Sequence, residues 1–181
     1  DYSCGLRTNK TIACWGANDQ NQATPPEGAF EQISVGPWFG CALSTQGEIS
    51  CWGSEQHNVL DPPDGIFKQV SVGGSHGCAL DRNGLVDCWG LNLYGRASPP
   101  NDRVLTSISA GTMHTCGIAE NRNVICWGDN YHGQITQTPP LKLTSVRSGK
   151  NHSCGITINK TILCWGNNEH GQLNAPDGMY S

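Results

Sequence analysis

Apolar and polar residues alternate along this chain in short bursts, and no stretch keeps a helical period. Gln32-Ile33-Ser34-Val35-Gly36 is one burst, and the same pattern returns as Gln69-Val70-Ser71-Val72-Gly73. Gly, Pro, Asn and Ser bound these segments, so each predicts a short strand in an all-β fold. Two more bursts follow each time, as in Cys41-Ala42-Leu43-Ser44 and Glu48-Ile49-Ser50-Cys51, separated by Thr45-Gln46-Gly47. A three-residue hairpin loop wants a left-handed residue in third place, usually Gly. Gly47 and Gly84 supply it, while Lys10, Arg122 and Lys160 hold the same place at some steric cost.

The pattern recurs five times, in hairpin stretches starting at Cys4, Cys41, Cys78, Cys116 and Cys154, spaced 37, 37, 38 and 38 residues apart. Each first cysteine is followed ten residues later by a second (Cys14, Cys51, Cys88, Cys126, Cys164) and then by Trp-Gly. The hairpin register sets the two cysteines directly opposite one another, within reach of a disulfide. Zinc sites favour closer Cys-x2-4-Cys knuckles, and redox pairs use Cys-x-x-Cys; neither occurs, so a staple within each hairpin is the expectation. A first strand precedes each hairpin, and a polar loop plus a Pro-rich return follows it. Three short antiparallel strands per unit in tandem predict β-propeller blades, of three or possibly four strands. The expected units of the single domain 1–181 are 1–29, 30–66, 67–104, 105–142 and 143–181. The first of these lacks its first strand. Either the ring has five blades, or it is part of a longer one.

Composition narrows the class. The 181 residues carry a net charge of −4 and no basic run, against nucleic acid as the main partner. No apolar stretch reaches membrane-span length, so no membrane insertion by this chain is expected. The chain opens at Asp1 without a signal peptide, which is expected to have been removed or to lie outside this sequence. Ten cysteines point to an oxidising compartment, hence an extracellular or secreted protein or the ectodomain of a larger one.

Gly-Gly-Ser-His-Gly-Cys-Ala-Leu (73–80), the five Cys-Trp-Gly triplets and Asn-Asn-Glu-His-Gly-Gln-Leu (167–173) resemble repeats of the regulator of chromosome condensation family. The paired cysteines and short period bring the resemblance closer to its cysteine-containing branch, like the extracellular repeats of crinkly-type plant receptor kinases. The resemblance spans essentially the whole chain and implies a β-propeller of short blades. It leaves function open, since that superfamily includes a nucleotide-exchange factor, receptor ectodomains and an enzyme inhibitor.

The histidines fall into two repeated columns. His76, His114 and His152 share one, with Tyr2 and Phe39 in the other units; His57, His132 and His170 share the second. Residues that recur unit by unit read as scaffold, and so do Trp15, Trp52, Trp89, Trp127 and Trp165, expected between blades. No metal site, cofactor site or catalytic constellation is expected. Gly-x-Ser-x-Gly and phosphate loops are absent, and Glu27, Asp64 and Asp177 sit in turns.

Function is therefore sought where the repeat breaks. Pro37-Trp38-Phe39 replaces small residues in one loop, Met113 differs in another, and Leu93, Tyr94 and Arg96 replace a polar Asn-x-x-His-Gly-Gln pattern. Trp38, Phe39, Leu93, Tyr94, Arg96 and Met113 form the expected partner-binding set, of residue types enriched in interaction hot spots. The expected function is an extracellular protein-interaction or assembly module. The alternatives are a lectin, using repeated positions such as Asn130, His132 and Gln134 on glycans, or a secreted enzyme inhibitor. Asn9, Asn159 and Asn151 begin Asn-x-Ser/Thr sequons, and the first two fall at hairpin tips, where glycans are expected.

Overall fold

A computed structural model describes residues 1–180; Ser181, the last residue of the expected fifth unit, lies outside them. Blade 1 pairs β1 (Tyr2–Leu6) with β2 (Ile12–Gly16). Blade 2 holds β3 (Phe30–Val35), β4 (Phe39–Ser44) and β5 (Ile49–Gly53). Blade 3 holds β6 (Phe67–Val72), β7 (His76–Asp81) and β8 (Val86–Gly90). Blade 4 holds β9 (Leu105–Ala110), β10 (His114–Ala119) and β11 (Val124–Gly128), and blade 5 holds β12 (Leu143–Ser148), β13 (His152–Thr157) and β14 (Ile162–Gly166). Among the described residues this gives four three-stranded antiparallel sheets and one two-stranded sheet. Among the described residues, the blades hold three strands at most, not four.

Register follows from the turns. Cys41 faces Cys51, and the other four pairs face likewise, with Cα atoms 4.0–4.1 Å apart and every pair bridged. Gly47 and Gly84 are left-handed at φ 94° and 85°, and Lys10, Arg122 and Lys160 adopt the same conformation at φ 64–68°. An L side chain is strained there, so Arg122→Gly should raise stability by about 0.5–1 kcal/mol. A urea-unfolding midpoint that falls instead would show that the arginine earns its place by contacts.

Each blade is too small to close a core, so the apolar residues meet between blades. They form four clusters, each spanning one joint: for example Leu43 of blade 2 with Phe67, Val70, Ala79 and Trp89 of blade 3. The first strands β3, β6, β9 and β12 line one shared depression. Their side chains lace neighbouring blades. The Gln32 amide bonds both N–H and C=O of Val70, and the Gln69 amide does the same to Ile108. The hydroxyls of Ser34, Ser71 and Ser109 accept the N–H groups of Val72, Ala110 and Ser148, each at 2.9 Å. Where these strands end, backbones approach closely: a Cβ on Gly36 would collide with the carbonyl oxygen of Gly73, and one on Gly73 with that of Gly111.

Candidate functional site

The outer part of each joint is closed by a tryptophan. Trp52, Trp89, Trp127 and Trp165 are buried, and their indole N–H groups donate to the carbonyls of Gln22, Val59, Arg96 and Gln134 in the preceding blade, at 2.8–3.0 Å. Trp15 differs. It is 61% exposed, and among the described residues no carbonyl of another unit accepts its indole N–H.

The first histidine column is also joint material. His76 Nε2 lies 2.8 Å from Thr115 Oγ1, and His114 Nε2 lies 2.7 Å from Ser153 Oγ, each across a blade boundary. Phe39 occupies the same column, and the matching position in its next blade is Gly77, without a hydroxyl. A buried imidazole needs a partner and a phenyl ring does not. Both histidines are fully buried, and their Nδ1 atoms have no partner within the described residues. Burial pushes the pKa of His76 down to about 3 and of His114 to about 4, with the Arg96 guanidinium adding to the effect on His76. In the unfolded chain both would titrate near the usual 6.5. The unfolded state thus binds protons first, so stability is retained above pH 6.5 and falls as pH drops toward 4–3. The expected loss at pH 4 is roughly 3 kcal/mol per histidine. The check is urea unfolding at pH 7 and pH 4. His76→Phe with Thr115→Gly, which copies the Phe39–Gly77 arrangement, should shrink the acid loss; an unchanged loss would remove His76 from its cause.

The loops that enter the second strands and those that follow Cys-Trp-Gly share one rim. Ser54 N–H donates to the Trp38 carbonyl, Leu91 N–H to Ser75, Asp129 N–H to Met113 and Asn167 N–H to Asn151. The rim carries Trp38, Leu93 and Tyr94, which are 57%, 51% and 60% exposed, and a half-buried Met113. Two expected members do not reach it. Phe39 is fully buried as the first residue of β4, packed in the core between blades 2 and 3. Arg96 is buried too: it occupies the column of Gln22, Gln134 and Gln172, its Nε donates to the Leu93 carbonyl, and its own carbonyl serves Trp127. Neither side chain is available to a partner. One residue was missed: Tyr131 is 87% exposed on this rim. Its column reads Asp19, Gln56, Leu93, Tyr131, Glu169, and this lack of repetition was the available signal.

The repeated amides are occupied within their own loops. Gln134 is fully buried; its Oε1 accepts the His132 N–H and its Nε2 donates to Asp129. Asn130 Oδ1 accepts the Ile135 N–H, as Asn92, Asn168 and Asn18 do in their own loops. His132 Nδ1 lies 2.9 Å from Asn167 Nδ2. Among the described residues no group of three or more His, Cys, Asp or Glu side chains is arranged to hold a metal ion, and no helix is long and apolar enough to cross a membrane. Asn9 and Asn159 are exposed at hairpin tips, whereas Asn151 is half-buried beside the rim and Ser153 of its sequon is buried.

Against known proteins, no curated sequence matches the chain. Solved structures do. The ectodomain of the receptor kinase CR4 from Physcomitrella patens aligns with a TM-score of 0.83 and 31% identity, over 99% of this chain and 53% of that one. The CRINKLY WD40 ectodomain of the Arabidopsis thaliana receptor kinase ACR4 aligns with a TM-score of 0.80 and 27% identity, over 99% and 66%. Prp20p from Saccharomyces cerevisiae, described with its binding to Gsp1p and histones, shares the fold at a TM-score of 0.81 and 19% identity, over 99% and 59%. The chain thus spans between about half and two thirds of these structures. The Regulator of chromosome condensation (RCC1) repeat matches residues 30–58, 67–96, 105–134 and 143–172, one match for each three-stranded blade, and the chain belongs to that repeat family.

Proposed function

We propose that this propeller is an extracellular protein-interaction module that meets its partner through the rim bearing Trp38, Met113, Leu93, Tyr94 and Tyr131. One observation carries the reading: large exposed aromatics gather at the positions where the repeat is broken, while the repeated polar residues are spent on holding their own loops. Tyr and Trp offer large contact area at low conformational cost, as interaction hot spots require. The extracellular setting is supported by five disulfides with no free cysteine among the described residues, and by similarity to two receptor-kinase ectodomains. Glycans at Asn9 and Asn159 would sit at hairpin tips, clear of this rim. The lectin reading loses support because Gln134 is buried and Asn130 is bonded internally.

The test places the photo-crosslinking analogue p-benzoylphenylalanine at position 38 or 94, with position 83 at a hairpin tip as control, and exposes the protein to intact cells of its source. Protein adducts from 38 and 94, absent from 83, are expected. Adducts confined to 83 overturn the assignment of the face. Glycan-array binding abolished by Gln134→Ala would install the lectin instead.

A further inference from the structure

Trp38 does not stand alone. It lines a small cavity of about 50 Å³ together with Gln56, His57, Gly74 and Ser75. Ser54 and Gln56 also border a neighbouring depression, lined in addition by Asp19, Asn21 and Glu55. Sharing Ser54 and Gln56, the two adjoin as a groove across blades 1 to 3, with an exposed indole lining one part and two exposed carboxylates lining the other. No Lys or Arg lines either part. Gly74 and Ser75 line the same cavity, and both are too small to cover the ring. The segment that carries His57 is held in a costly conformation: His57 and Asn58 are both left-handed, at φ 63° and 57°, and at the position of Asn58 blades 4 and 5 each use a glycine, Gly133 and Gly171. Consecutive non-glycine residues in that region are strained and persist only where the surroundings enforce them.

We infer that this groove receives Lys or Arg side chains from an exposed basic segment of a protein partner. The inference rests on the proposed role of this rim and adds the partner's chemistry. An indole face attracts a cation through its quadrupole, most strongly with tryptophan, and carboxylates alongside add attraction and orientation. The rim sector offers no positive charge to repel such a segment, whereas an acidic segment or a nucleic acid would face two uncompensated carboxylates. A neutral apolar segment would use Trp38 but would leave Asp19 and Glu55 without a role.

The experiment uses the whole chain and fluorescence anisotropy with short labelled peptides: a Lys–Gly repeat, an Arg–Gly repeat, and Gln–Gly and Glu–Gly controls. The two basic peptides should bind, and the controls should not. Binding should weaken as salt is raised. Trp38→Ala should lower affinity about tenfold. Asp19→Asn with Glu55→Gln should lower it about as much at low salt. All three positions are exposed, so the variants should keep the parent unfolding midpoint. Absence of binding to both basic peptides, equal binding of the Gln–Gly control, or indifference to Trp38→Ala overturns the inference. If crosslinking from 38 and 94 still captures a protein in that event, the basic chemistry fails and the assignment of the face stands. If crosslinks arise only from 83, the face itself is wrong.

Discussion

Trp89→Ala should destabilise the protein by about 3–5 kcal/mol, whereas Trp15→Ala should cost less than about 1 kcal/mol. The two residues hold the same repeat position. Trp89 is 8% exposed, fills the joint between blades 2 and 3, and donates its N–H to the Val59 carbonyl at 2.8 Å. Its removal opens a cavity and leaves that buried carbonyl without its partner. Trp15 is 61% exposed, so its truncation removes little buried area. Urea unfolding of both variants checks the contrast. Equal losses would mean that the tryptophan column acts within its own blade and not across the joint.

Loss of one hairpin staple should be nearly as severe. The Cys78→Ala and Cys88→Ala double variant should lose about 2–5 kcal/mol, since the chain-entropy account gives about 3 kcal/mol for a loop of this length. Cys78 is fully buried against Leu105 and Ile108 of the next blade, so the pair also serves as core. Full reduction in dithiothreitol removes all five bridges, and a total stability of about 5–15 kcal/mol does not survive that. Loss of the β-sheet circular-dichroism signal on reduction is the expected result. A reduced protein that keeps its signal and its unfolding midpoint would show the bridges to be redundant with the joints.

The strands, hairpin turns and cysteine pairing were legible because five copies of one unit report the same local rules. Gly47 and Lys160 stand at one turn position, and both are left-handed in the structure. The rim was legible only in part. Trp38 and Phe39 break the repeat side by side, yet one lies in a loop and the other opens a strand whose side chain faces the core. Adjacent residues at such a boundary separate by direction, which the hydrophobic pattern does not record. Column membership was the better guide. Phe39 shares its column with the buried His76 and His114, and Arg96 shares one with the buried Gln134. Tyr131 escaped because a polar neighbourhood disguised an unrepeated aromatic. The groove between Trp38 and Asp19 joins residues of different units, so no single repeat displays it.

The lacing of the joints has a direction. The amide of Gln69 and the imidazole of His76 reach forward, from blade 3 to Ile108 and Thr115 of blade 4. The indole of Trp89, from the same blade, reaches backward to Val59. The boundaries between blades 2 and 3, 3 and 4, and 4 and 5 are thus each fastened on the first-strand side by the earlier member and at the tryptophan by the later one, like two hooks facing opposite ways. Sliding one blade along the other loads both hooks at once, whereas rotation apart at the periphery loads only the tryptophan. Under a pulling force the array should open like a fan, blade by blade from the outside, with the Gln69 and Ser71 contacts the last to part.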